Sequence, residues 1–143
     1  MQDTMNRHAV RRFTEVVLNQ GEIDAVAQFF WDDVIEQEQV YLPMRGHGLR
    51  GLKQMLRGLR TSFPDMHWTI YEQISEVDKV LSRFEWTGTH HGMFLGIPPT
   101  GRSVRVGGMA VDRFVLGKIK ETRVIMDTLG LMMQLGAVPP PRV

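Results

Sequence analysis

Acid–base chemistry needs a carboxyl or imidazole whose surroundings bring its pKa toward neutrality, and this chain offers it in three places. Glu36 and Glu38 stand two apart in a polar stretch, 34–42, that reads as a strand. Alternation puts both on one face, where two nearby acids push one pKa upward. The same stretch also reads as a solvated edge strand whose acids block aggregation. Asp127 follows Val124-Ile125-Met126 and precedes Leu129 and Leu131, an acid framed by apolar residues and so open to a perturbed pKa. It is equally placed to cap a terminal helical turn. His90 and His91 are consecutive at a strand end and point to opposite faces. His90 shares parity with Phe84 and Trp86, which predicts the buried side. There it would be a proton shuttle, a hydrogen-bond donor to a substrate oxygen, or a core histidine bonded to backbone or to a neighbouring acid.

Large adaptable side chains accompany these groups. Trp31, Tyr41, Trp68 and Trp86, with methionines that include Met55, Met109 and Met126, could line a pocket for a flat aromatic ligand. Ordinary core packing accounts for any one of them equally well. The remaining histidines, at 8, 47 and 67, fall in unrelated segments without ligand spacing, so no metal site is expected. Arg50, Lys53, Arg57 and Arg60 share a helix face that reads as solvated. It could bind an anionic carrier, or be neutralised by the acidic stretch 22–38.

The elements that must position these residues divide by half. Val10, Phe13 and Val17 predict an amphipathic helix over 3–19, stopped at Asn19-Gln20-Gly21. Ile23, Val26, Ala27 and Phe30 form a short second stripe, which Asp32-Asp33 should break. Leu49, Leu52, Leu56, Leu59 and Phe63 predict the clearest helix, ended by Pro64-Asp65. Four strands follow, at about 66–77, 79–92, 102–116 and 118–126, with 92–101 as a longer hairpin loop. Residues 127–136 could add a helical turn. Helices followed by antiparallel strands predict an α+β domain. A curved antiparallel sheet with three helices across its open face would make a cone with one internal pocket. One domain over 1–137 and an unstructured Pro139-Pro140-Pro141 tail complete the reading.

Composition removes other classes. The chain has 143 residues, enough to bury a core without metal or disulfide staples. It has no cysteine, which excludes thiol nucleophiles, disulfides and cysteine-held metals. The charge of +1 argues against nucleic-acid binding. No apolar run approaches the ~18 residues of a membrane span, and the polar stretch 1–12 does not read as a signal peptide. A cytoplasmic location is the expectation.

An ordered series of motifs then carries a resemblance. Phe63-Pro64-Asp65, Gly88-Thr89-His90-His91-Gly92, Gly96-Ile97-Pro98-Pro99-Thr100-Gly101, Gly117-Lys118-Ile119, Asp127 and Gln134-Leu135-Gly136 resemble the SnoaL-like polyketide cyclases over roughly 8–137. The resemblance implies the cone-shaped α+β fold shared with ketosteroid isomerases, no metal or cofactor, and pairing of two copies across the outer sheet faces. It implies an intramolecular aldol closure of an aromatic polyketide ester, a small hydrophobic substrate. Such a reaction needs a base, a donor to the enolate oxygen and a proton for the new alkoxide. The family's aldol aspartate falls at Val124 here and a family histidine at Ala110, neither able to move a proton. Glu38, placed where ketosteroid isomerases keep their base, or Asp127 would replace it, with His90 as donor. Relatives also point to hydration, isomerisation or assistance of hydroxylation in the same pocket. A non-catalytic small-molecule binder or dimerisation module is the alternative of a different class.

Overall fold

The computed structural model describes residues 1–37 and 48–142. Helix α1 spans Gln2–Phe13 and widens into a π-helical turn over Thr14–Asn19, together filling the span expected of one helix. Gly21 follows with φ 79°, and a 3-10 segment covers Ile23–Gln28. Strand β1 is Phe30–Gln37, and helix α2 is Gly48–Ser62. Strands β2 (His67–Glu76), β3 (Lys79–Thr89), β4 (Ser103–Val115) and β5 (Lys118–Met126) precede α3 (Thr128–Gln134).

The five strands form one sheet in the order β1-β5-β4-β3-β2. The last four make an antiparallel meander, whereas β1 adds parallel to β5. Asp32-Asp33 therefore does not end the element that precedes it; the pair sits inside β1. The reason is an irregularity between Phe30 and Ile35, which absorbs extra residues at the exposed edge. Asp33 gains a Lys120 partner across the strands. Inside the sheet, alternation turns Val80, Ser82, Phe84 and Trp86 of β3 toward the core.

The helices cover that inner face as the apolar periodicity requires. Leu52, Leu56 and Leu59 of α2 are buried, each worth roughly 1.5–3 kcal/mol when fully buried. The basic side of α2 is partly neutralised, since Lys53 and Arg57 both reach Asp24. Two apolar clusters result. One centres on Phe63, Trp68, Phe84 and Trp86; the other on Val17, Phe30, Leu52, Phe114 and Ile119. The loop after β3 is pinned to the end of α2, where the His91 and Gly92 amides donate to the Ser62 carbonyl. A Cβ at position 92 would lie 2.4 Å from the Thr61 carbonyl oxygen, so only glycine fits this approach. No described helix is long and apolar enough to cross a membrane.

Candidate functional site

An internal cavity of about 90 Å³ lies where the two clusters meet. Its roof is Leu52, Met55, Leu56 and Leu59 of α2, with Thr14 and Leu18 of the π-helical turn. Its floor is the sheet, and the polar groups of the floor are few and ordered. Glu36 pairs in register with Thr122, and Thr122 pairs with Asp112. Adjacent strands are about 4.8 Å apart, so Glu36 and Asp112 stand about 10 Å apart at the backbone, with Thr122 between. All three border the cavity, as do Ser82 on β3 and Trp68 on β2.

These surroundings move both acids the same way. Burial pushes Glu36 up to about 7. Neither of its carboxylate oxygens has a hydrogen-bond partner among the described residues. Burial likewise raises Asp112 to about 6, opposed in part by a hydrogen bond with Thr122. Desolvation disfavours the charged form of each acid, and no described cation offsets it. A carboxyl that titrates near neutrality with free lone pairs in an apolar cavity suits proton abstraction from carbon.

The residues read from the sequence fall on several sides of this cavity. Met126 borders it, and Trp68 does too. Glu38 and Tyr41 lie outside the described residues. His90 is fully buried, as parity predicted, but it does not line the cavity. Its Nδ1 accepts from the Thr100 amide at 3.2 Å and lies 3.0 Å from the Thr100 hydroxyl, which fixes the loop between β3 and β4. The fully buried Trp86 packs beside the cavity, its indole N–H directed 3.3 Å to the Met126 sulfur. Trp31 lies away from it, donating to the Val115 carbonyl at 2.8 Å with the Lys118 ammonium over its ring. Met109 points outward and is 51% exposed.

Asp127 takes the capping arrangement. It is exposed at the start of α3, and its Oδ1 accepts from the Gly130 amide at 2.8 Å. Asp127→Ala should therefore cost about 1 kcal/mol, a fall of about 3 °C in Tm by thermal unfolding, and change turnover less than twofold. A hundredfold loss of turnover in a folded variant would return Asp127 to the chemistry.

Asp112, Thr122 and Ser82 were not read from the sequence. Asp112 was findable, since it shares parity with Val104, Val106 and Phe114 on β4. Thr122 was harder, because a register shift between Arg113 and Phe114 breaks simple alternation against β5. Among the described residues no cluster of three or more His, Asp or Glu could hold a metal ion.

The cone, the internal cavity and the order of elements define a class, and residues 8–135 match the model of the SnoaL-like polyketide cyclases. The chain belongs to that family. No curated protein matches it. Among solved structures it is similar to AclR, a candidate hydroxylase from Streptomyces galilaeus, at TM-score 0.84 and 22% identity over 98% of this chain and 86% of that one. TsrD from Streptomyces laurentii matches at TM-score 0.82 and 26% identity, covering 92% of this chain and 98% of its own. A candidate polyketide cyclase from Acidithiobacillus ferrooxidans gives 0.79 and 25%, covering 93% and 95%.

Proposed function

We propose that the chain is a cofactor-independent acid–base enzyme, an aldol-type cyclase of an aromatic polyketide ester, with Glu36 as its general base. The observation that carries this reading is the unpartnered Glu36 carboxyl, raised to about 7, at the floor of an apolar cavity. In the reaction Glu36 takes the proton from a carbon flanked by carbonyls. The enolate carbon attacks a ketone carbon of the same molecule, forming the new C–C bond, and the carbonyl electrons move to oxygen. Protonated Asp112 gives that alkoxide its proton, and water returns the proton from Glu36 to Asp112 between turnovers. Val124, where the resemblance puts the family's aldol aspartate, borders the same cavity as Glu36, which supports a reading in which the base sits elsewhere on the same floor. Met55 and Met126 border the cavity, and their unbranched thioethers can swing aside to admit rings larger than the space at rest.

We further propose that two copies pair through the outer sheet face, where Tyr71, Met109 and Ile125 are exposed. Sedimentation should give a dimer, and Met109→Lys together with Ile125→Lys should yield a folded monomer. A wild type that sediments as a monomer would contradict this pairing.

The enzymatic reading is tested by following the absorbance change on ring closure of an aromatic polyketide ester. Turnover above buffer, lost in Glu36→Gln, supports it. Ligand binding without turnover in the wild type would instead assign a binding module.

A further inference from the structure

Four side chains hold buried polar atoms without a hydrogen-bond partner among the described residues: Asn6, Glu36, Trp68 and His90. Such orphans are rare, because each forfeits its hydration without a replacement bond, and each calls for a reason. Asn6 and His90 lie away from the cavity; Glu36 and Trp68 border it. The two are complementary. Glu36 presents an acceptor from edge strand β1, and the Trp68 indole N–H is a donor from the opposite edge strand, β2.

Trp68 is held as a rigid donor should be. Asn19 clamps its backbone on both sides, accepting from the Trp68 amide at 2.7 Å and donating to the Trp68 carbonyl at 3.1 Å. Its ring lies 4.8 Å from that of Phe84 and 6.0 Å from that of Trp86, and the residue is only 9% exposed. The other two tryptophans spend their N–H groups inside the protein, on Val115 and Met126. Of the three tryptophans, Trp68 alone keeps its N–H without an acceptor among the described residues, and it borders the cavity.

We propose that the Trp68 indole N–H binds a carbonyl oxygen of the ligand and thereby orients it with its acidic C–H toward Glu36. The inference deepens the proposed function and rests on that cavity. It assigns the ligand class as an apolar aromatic ketone or ester with an acceptor oxygen at the end away from the base. A hydrocarbon of the same shape leaves the N–H unsatisfied and gains nothing from Trp68.

A matched pair of probes tests this, 2-acetonaphthone and 2-ethylnaphthalene, which differ only in the carbonyl. Nitrogen-15 labelled protein gives three indole N–H signals from the three tryptophans, and Trp68→Phe assigns one by its loss. The ketone should move the Trp68 signal downfield; the hydrocarbon should not. Trp68→Phe should weaken ketone binding about tenfold and leave hydrocarbon binding unchanged, the loss of about one neutral hydrogen bond. A ketone that binds without moving the signal, or a variant that weakens both probes equally, would show a packing role only and overturn the assignment. Binding of neither probe would overturn it too. Repeating the titration on Glu36→Gln separates the two claims: an unaltered Trp68 shift with no loss of turnover in that variant sinks the base and leaves the donor standing.

Discussion

Glu36→Gln should lower kcat by about 10²–10⁴-fold while ligand affinity changes less than threefold, and the variant should be the more stable protein above pH 7. The first effect follows from the role, since a general base contributes about that factor and Gln keeps the shape without the basic oxygen. The second follows from linkage. Folding raises Glu36 from its ordinary value to about 7 by burial. The native state therefore holds a proton that the unfolded chain releases as pH rises from about 4.5. The stability this confers is fully present below that point and is lost by pH 7. Gln carries no such penalty. The gain of the variant at pH 8 should be about 1–2 kcal/mol after allowance for the partial exposure of Glu36, and should vanish near pH 4. Urea unfolding at the two pH values measures it. A group placed for structure alone would lose stability on replacement, so a destabilised variant at pH 8 contradicts the account.

Asp112 supplies the next largest effect. With Glu36 ionised and Asp112 protonated in the active form, kcat/KM of the wild type should be bell-shaped, with its maximum between pH 6 and 7. Asp112 is raised to about 6 and Glu36 to about 7, so the two limbs belong to the pair rather than to either residue. Asp112→Asn can still donate a hydrogen bond to the alkoxide but cannot give up a proton. Turnover at the optimum should fall about 10–100-fold. The falling limb should vanish, leaving a single rise with its midpoint near 7. A profile that keeps its descent above pH 7 in this variant would assign the acid elsewhere.

Much of the scaffold was legible before the structure. The leucine stripe of α2 and the alternation of β3 are dictated by periods of 3.6 and 2, and both elements lie close to where those periods put them. What resisted was the edge. Asp32-Asp33 looks like a break because two adjacent charges fit neither period, yet β1 runs through them by displacing residues at an irregularity. The parallel pairing of β1 with β5 joins residues about 90 apart, and no local pattern encodes such a partnership. The site was half legible for the same reason. Glu36 could be placed on one face of a strand with Glu38, but its burial depends on α2 closing over it. Asp127 shows the reverse case, where an apolar sequence frame suggested burial and the chain used the carboxylate to cap α3 in solvent.

The central claim is that Glu36 removes a proton from carbon, and deuterium exchange tests it without the natural substrate. Methyl benzoylacetate, an aromatic β-keto ester, is incubated with the protein in D2O, and loss of its acidic C–H signal is followed by proton NMR against buffer alone. The account predicts catalysed exchange that rises with pH through about 7 in the wild type and drops to the buffer rate in a folded Glu36→Gln variant. Equal exchange by the two proteins, or none above buffer from a wild type that binds the ester, would contradict it.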